Sequence, residues 1–143
     1  MRNGMLLNGI LNNSEVWFGL NENHYRELEQ VDEYLLRGIL KAPSKVPIKS
    51  LYLETGTIPI RYIIKKRRLS YLHHLLTRDS EELISKVYQA QKSIPCKNDW
   101  STVVDNDKDD IALNLSMNEM KSMKKMKFKT YLKKKIHLSA FKY

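Results

Sequence analysis

The stretch LYLETGTIPIRYIIKKRR, residues 51–68, decides how this chain folds, because it contains a helix stop, a helix start and a cluster of positive charge. Gly56 can adopt the left-handed backbone conformation that ends a helix after Thr55. Pro59 has the fixed φ that suits the first turn of a helix. Two helices are therefore predicted to meet here at an angle, with the basic residues on the second.

Helical periodicity extends to both sides of this stretch. Residues 22–40 read as an amphipathic helix that Asn21 can cap, with apolar positions recurring every three or four residues. These positions are Leu28, Val31, Leu35 and Ile39, and Tyr25, Leu36 and Leu40 widen the stripe. A short helix is predicted at 48–54 and a longer one at 59–76. The candidate core residues of the longer helix are Ile60, Ile63, Ile64, Leu72, Leu75 and Leu76.

The next two helices are predicted from capping residues. Asp79, with Glu82 three residues later, resembles a capping box that opens a helix at about residues 80–91. Its predicted buried face is Leu83, Ile84, Val87, Tyr88 and Ala90. Asn98 or Asp99 can start a further helix through Trp100 and Val104. The aspartates that follow it are expected to end that helix in a solvated loop; they are Asp105, Asp107, Asp109 and Asp110.

A second capping box, Ser116 with Glu119, opens a lysine-rich C-terminal helix. The methionines of this helix drift around it instead of holding one stripe, so we expect it to dock weakly. They are Met117, Met120, Met123 and Met126.

Composition favours helices throughout, since 143 residues include only five glycines and four prolines, and no alternating strand pattern occurs. The predicted fold class is all-α: an irregular bundle of about five to seven short helices with a basic, weakly docked C-terminal helix. We expect a helical domain at 1–110 and a basic C-terminal helix or tail at 111–143.

Several chemical sites are disfavoured by the residues available. The single cysteine, Cys96, excludes an internal disulfide and a multi-cysteine zinc site. The adjacent pair His73 and His74 faces two directions, which suits metal binding poorly. The aspartates at 105–110 lack the glycine and glutamate that complete a calcium loop. Trp17 and Trp100 are interpreted as core anchors. No catalytic residues, metal site or cofactor are predicted.

The formal net charge is +9, but the charged residues are distributed unevenly, in alternating acidic and basic segments. Residues 1–40 and 76–115 each carry a net charge of −3, whereas residues 41–75 carry +7 and residues 116–143 carry +8. Such basic blocks concentrate positive potential, and a nucleic-acid backbone is the obvious polyanionic partner.

Within the first basic block, Arg61, Lys65 and Arg68 are spaced by four and three residues and are predicted to share one helix face. Arginine and lysine donors there suit phosphate oxygens. The candidate nucleic-acid contacts are Arg61, Lys65, Lys66, Arg67, Arg68, Lys124, Lys125, Lys133 and Lys134. The alternative is a solvated face with internal salt bridges, for instance from Arg61 or Arg67 to Glu54 or Asp32. Nearby rings such as Tyr62 and Tyr71 could stack on bases. The alternative is that these tyrosines pack in the core.

The run at residues 51–76 resembles the region downstream of the polymerase core in non-LTR retrotransposon reverse transcriptases. Shorter blocks at similar spacing extend the resemblance over roughly residues 2–110; they are NSE-x-W at 13–17, LE-x-VDE at 28–33 and NDW at 98–100. In that family this helical segment is the thumb, which grips the template and primer duplex.

The resemblance implies a parent protein with RNA-directed DNA polymerase activity and a palm domain as the partner of this segment. The family's metal-binding aspartates lie upstream of Met1 and match no residue here. The fragment is therefore expected to grip a duplex without catalysing a reaction. The sequence stops at Tyr143, before the zinc-knuckle-like or endonuclease segments of some relatives, so a degenerate copy without retained function stays open.

Two other classes of function remain. One is a helical protein-interaction module whose basic faces bind an acidic partner. The other is a basic C-terminal helix that rests on an anionic membrane, which the lack of a sustained apolar stripe disfavours. We expect an intracellular protein with no membrane span and no small-molecule substrate. Nuclear and cytoplasmic locations both remain open, although Lys133–Lys135 is compatible with nuclear import.

Overall fold

The computed structural model describes residues 8–94 and 99–141. The regular structure in these ranges is helical, which confirms the predicted all-α class and irregular bundle. A short 3-10 helix at Ser14–Val16 precedes seven α-helices: α1 Glu22–Leu40, α2 Ile48–Thr55, α3 Ile60–Thr77, α4 Leu83–Ser93, α5 Trp100–Asp110, α6 Met117–Ser122 and α7 Lys125–Ala140. The predictions made for Cys96 and Asn98 lie outside the described residues.

Helix α3 is the centre of the bundle, because it contacts the 3-10 helix, α1, α4, α5, α6 and α7. Its apolar residues are buried on most sides of the helix: Ile60, Ile63, Ile64, Leu69, Leu72 and Leu75. Most of the predicted core positions of this helix are thereby confirmed, and Leu76 packs at the edge of the same core. Two polar side chains, Arg68 and His73, are buried with them.

The turn between α2 and α3 has the predicted form. Gly56 has a φ of 65°, in the left-handed region, and the Thr57 N–H donates to the Tyr52 carbonyl oxygen at 3.1 Å. This arrangement satisfies carbonyl groups that a helix end otherwise leaves unpaired. Pro59, with a φ of −57°, directly precedes the first residue of α3. The stop and start signals of the sequence therefore act where they were expected.

Helix α1 has the predicted bounds, and Asn21 caps it. The Asn21 side chain accepts from the His24 N–H at 3.0 Å, and the Asn21 N–H donates to His24 Nδ1 at 3.2 Å. A histidine thus completes a capping box that usually contains glutamate or glutamine.

The buried face of α1 agrees with the predicted stripe only in part. Leu36 is buried, and Leu28 and Leu35 pack partly buried against the core. Val31 is 46% exposed and Ile39 is 42% exposed, whereas the polar Asp32 is buried. Asp32 accepts a hydrogen bond from the Tyr52 hydroxyl at 3.2 Å. A hydrogen-bonded carboxylate can occupy a buried position that hydrophobic periodicity assigns to apolar residues.

Helix α4 corrects two predictions. It begins at Leu83, because Asp79 accepts from the Glu81 N–H at 3.1 Å and closes a turn before the helix instead of capping it. The predicted buried face is confirmed at Tyr88 but wrong at Leu83 and Val87, which are 78% and 56% exposed. The helix docks through Tyr88, whose ring meets Trp100 edge-on at 6.0 Å. Ser85 is the other buried residue of α4, so the apolar stripe faces outward.

Helix α5 continues through the aspartate cluster to Asp110, so the predicted solvated loop is wrong. Three of these aspartates pair with cations on neighbouring helices: Asp105 with Lys92, Asp107 with Arg68, and Asp110 with Lys65. These ion pairs offset the repulsion that would otherwise oppose a helix rich in like charges.

The start of α5 is capped by Asp99, which accepts from the Thr102 N–H at 2.9 Å. This hydrogen bond, together with one from Ser101, lowers the pKa of the Asp99 carboxyl below its ordinary value of 3.8. A carboxyl with a lowered folded pKa stabilises the fold above its unfolded pKa, and this stabilisation is lost as pH falls through the folded pKa.

Replacing Asp99 with alanine should therefore lower the thermal midpoint at neutral pH, and the difference from the parent protein should shrink as pH falls below 3.8. Thermal unfolding followed by circular dichroism at several pH values measures this. Asp99→Asn is the matched control, because its side-chain oxygen can still accept from Thr102. An equally large loss for Asn and Ala would show that the cap is not the cause.

The C-terminal region consists of two helices instead of one. The predicted capping box is confirmed: Ser116 accepts from the Glu119 N–H, and Glu119 accepts from the Ser116 N–H. This helix, α6, ends at Ser122, and α7 begins at Lys125.

Helix α7 is firmly docked, so the predicted weak docking is wrong. Its buried residues recur every four positions: Phe128, Leu132, Ile136 and Ala140. They belong to the same core cluster as Ile64 and Trp100, on the other side of the boundary predicted at residue 110. The division into 1–110 and 111–143 stays a prediction about domain organisation. Buried residues from both parts pack in one core cluster.

None of the helices within 8–94 and 99–141 is both long and apolar enough to cross a bilayer.

Candidate nucleic-acid interface

Arg61 is held by two carboxylates of α1. Its Nε donates to Glu29 at 2.6 Å, and its Nη2 lies 2.8 Å from a Glu22 oxygen. The hydrogen bond with Glu29 is the main reason why the pKa of Arg61 is raised. Hydrogen bonding and charge attraction from Arg61 lower the pKa of Glu22 in turn. This guanidinium ties α3 to α1 and already has its anionic partners.

Lys65 and Arg68 bind the aspartates of α5. Lys65 Nζ lies 2.9 Å from Asp110 Oδ2, and Arg68 Nε lies 2.8 Å from Asp107 Oδ2. The side chains of Arg68 and Asp107 are 1% and 5% exposed, so this second pair is buried.

The buried pair has further contacts. Arg68 Nη2 donates to the Tyr25 hydroxyl at 2.7 Å, and Nη1 donates to the Trp17 carbonyl at 3.4 Å. Arg68 Nε and Asp107 Oδ2 are close enough for an ion pair, although their geometry is not that of a hydrogen bond. Burial raises the pKa of Asp107 to about 6, against the opposing effect of the Arg68 charge. Desolvation therefore outweighs attraction at this carboxyl.

The predicted common basic face of α3 is thus neutralised within the fold at Arg61, Lys65 and Arg68. The alternative of internal salt bridges describes these residues, but with different partners. Arg61 pairs with Glu22 and Glu29, not with Glu54 or Asp32. These three cations are poor candidates for binding an external phosphate, because a new anion would have to displace a carboxylate.

Arg67 has a structural contact as well. Its Nη1 donates to the Leu11 carbonyl and lies 3.2 Å from Ser14 Oγ. Both acceptors belong to the segment at the 3-10 helix, so Arg67 fastens this segment to α3. Its remaining surface borders a groove on the same side of the bundle.

A large open groove runs between α3, α7 and the segment before the 3-10 helix, with a volume of about 1210 Å³. Its lining is strongly basic, and Glu15 is the one acidic residue among the described lining residues. The lining cations are Lys66, Arg67, Lys124, Lys125, Lys129 and Lys133.

The docking of α7 places its lysines along this groove. Lys129 follows buried Phe128, and Lys133 follows buried Leu132, so an apolar line and a cationic line run side by side on the helix. Lys125, Lys129 and Lys133 are all exposed. None of these three lysines, nor Lys66, forms an ion pair with a carboxylate in the described part of the chain.

The ammonium group of Lys66 lies near the lysines of α7. Its pKa is lowered, first by partial burial and then by the positive charges of Lys133 and Lys129. Ammonium groups of α3 and α7 therefore lie near one another in the groove, where those of Lys129 and Lys133 make the charged form of Lys66 less favourable. An anion bound between them would relieve this repulsion.

The predicted contact residues divide between two surroundings. Lys66, Arg67, Lys124, Lys125 and Lys133 line the groove. Arg61, Lys65 and Arg68 are in internal ion pairs, and Lys134 is exposed outside the groove.

Lys129 is a groove residue that the sequence prediction missed. The signal was present, because Lys129 lies four residues from both Lys125 and Lys133 and therefore shares their helix face.

Rings also line the groove. His73 is buried, stacks on Phe128 at 4.3 Å, and places Nε2 3.0 Å from the Met123 carbonyl oxygen. Tyr71 is half-buried and meets Trp100 edge-on at 5.7 Å, while His74 is exposed. No group of three or more metal-ligating side chains occurs in the ranges that the structure covers.

Comparisons with protein-family models, curated proteins and solved structures found no match. The resemblance to the thumb of non-LTR reverse transcriptases therefore stays a prediction from the sequence.

Proposed function

We propose that this protein binds the phosphate backbone of a nucleic acid, without sequence preference, in the basic groove between α3 and α7. The observation that carries the proposal is the convergence of Lys66, Lys129 and Lys133 without carboxylate partners among the described residues. Uncompensated positive charge in a concave surface favours a polyanion, and each neutralised phosphate releases condensed counterions.

The groove lysines differ from the cations that form ion pairs within the fold, and this difference supports the groove as the site. Cations that the fold uses internally, such as Arg61 and Arg68, lie within 2.8 Å of a carboxylate oxygen. The groove lysines contact no such group in the part of the chain described. Fixed charge that is left without an internal partner is available for an external one.

The resemblance to a reverse transcriptase thumb supports the same class of ligand. It leads us to propose a palm domain of a parent RNA-directed DNA polymerase as a further partner of this segment. On this proposal the chain contributes grip and no catalytic group. The residues that contact the nucleic acid are then those of the groove, and not Arg61, Lys65 and Arg68.

Replacing Lys129 and Lys133 together with glutamine should weaken nucleic-acid binding by about tenfold or more at low salt. The slope of log K against log salt concentration should become shallower by about 2, because two phosphate contacts are lost. Fluorescence anisotropy with labelled oligonucleotides across a salt series measures both quantities.

Lys127→Gln with Lys134→Gln is the matched control, since both lysines are exposed on α7 outside the groove and the net charge changes equally. Equal losses for the two double variants would overturn the groove as the site. Tighter binding of polyglutamate than of nucleic acid would favour an acidic protein partner. Failure to bind any polyanion would overturn the proposed function.

A further inference from the structure

The groove lies along the seam between two helices that are in direct contact. The His73 ring stacks on Phe128, and the Tyr62 hydroxyl donates to the Ser139 carbonyl at 3.3 Å. Helices packed this closely have axes about 8–10 Å apart. A whole double helix, whose major groove alone is about 12 Å wide, is wider than this spacing and can present only one of its backbones to the seam. A single strand can lie there with both its phosphates and its bases in contact with the protein.

The lysines of α7 form a ladder along this seam. Lys125, Lys129 and Lys133 are four residues apart on one face, which corresponds to a rise of about 6 Å between successive lysines. This is comparable to the separation of successive phosphates along one strand. Lys66 approaches the ladder from α3, on the other side of the seam. The lysines on the two sides of the seam could therefore contact the phosphates of one strand lying between them.

Two rings lie in the same groove on α3. Tyr71 is held by its edge-on contact with Trp100, and the exposed His74 ring lies 6.2 Å from it. Bases of a duplex are already stacked and paired, whereas bases of a single strand can stack on protein rings. A cationic track beside such rings is typical of proteins that bind single strands.

We propose that the ligand of the groove is a single-stranded nucleic acid, with its phosphates along Lys125, Lys129 and Lys133 and with bases against Tyr71 and His74. This inference rests on the proposed function and narrows it to one class of nucleic acid. It differs from the duplex that the resemblance to a thumb implies.

The test compares a labelled single strand of about 15 nucleotides, oligo(U) or oligo(dT), with a duplex of the same length, by anisotropy at low salt. We expect the single strand to bind about tenfold more tightly. Equal or tighter binding of the duplex would overturn this inference while leaving the groove as a nucleic-acid site. Absence of binding by both ligands would overturn the proposed function and the inference together.

A ring variant separates stacking from charge. His74→Ala should weaken single-strand binding about three- to tenfold and leave duplex binding nearly unchanged. Arg78→Ala is the control, because it removes the hydrogen bond that Arg78 Nε donates to His74 Nε2 at 3.0 Å but leaves the imidazole ring in the chain. Arg78→Ala should leave the ratio of single-strand to duplex affinity unchanged. If His74→Ala had the same ratio of single-strand to duplex affinity as the parent protein, the stacking role of His74 would be overturned.

Discussion

Replacing Arg68 with methionine should destabilise the protein by roughly 3 to 5 kcal/mol at neutral pH, because it leaves a buried carboxylate without its counter-charge. Arg68 is 1% exposed and Asp107 is 5% exposed, so water cannot take the place of the lost partner. The same change removes the hydrogen bonds to Tyr25 and to the Trp17 carbonyl. Urea unfolding followed by circular dichroism measures the loss.

The loss should also depend on pH in a defined direction. The pKa of Asp107 is raised to about 6, and the Arg68 charge holds it down from a still higher value. A carboxyl with a raised folded pKa destabilises the fold above that pKa, and the penalty fades as the carboxyl takes up a proton. The difference between variant and parent should therefore shrink as the pH falls towards about 6. A difference that stayed constant would mean that Asp107 is not the group left unpaired.

Two further variants control this experiment. Arg78→Met breaks an exposed pair, in which Arg78 and Glu82 are 42% and 43% exposed, and should change stability by about 1 kcal/mol or less. Combining Arg68→Met with Asp107→Leu should recover most of the lost stability, because apolar side chains replace both buried charges. A double variant as unstable as Arg68→Met alone would contradict the role of the unpaired carboxylate.

Replacing Leu132 with alanine should destabilise the protein by about 2 to 5 kcal/mol, since a fully buried leucine leaves a cavity in the core. Leu132 is 0% exposed at the centre of the face by which α7 docks. The change therefore tests whether this lysine-rich helix belongs to the cooperative fold. The midpoint of urea unfolding measures it.

Leu138→Ala is the matched control on the same helix, because Leu138 is 60% exposed. It should change stability by about 0.5 kcal/mol or less. If Leu132→Ala behaved like Leu138→Ala, α7 would be only loosely attached, and the wall that carries Lys129 and Lys133 would not be fixed against α3.

The positions of helices could be predicted largely from local signals. The bounds of α1, the Gly56 stop, the Pro59 start and the Ser116–Glu119 capping box all depend on residues within a few positions of one another. Backbone hydrogen bonds and caps act over this short range, so the sequence contains the information directly.

The buried faces were predicted less well, because they depend on which neighbour each helix meets. The predicted buried face of α4 included Leu83, Val87 and Tyr88, but only Tyr88 of these three is buried, where it packs against Trp100. In α7 the methionines suggested weak docking, but Phe128 and Leu132 pack into the core.

The sequence by itself determined that this protein is helical, where most of its helices begin and end, and that its positive charge falls in two blocks. Only the tertiary structure decided which cations remain available to a ligand. Arg61, Lys65 and Arg68 share a predicted face, but their carboxylate partners lie 32 to 45 residues away in the chain. A charge pair forms where folding brings two groups within a few ångströms, and this distance is not encoded in local spacing.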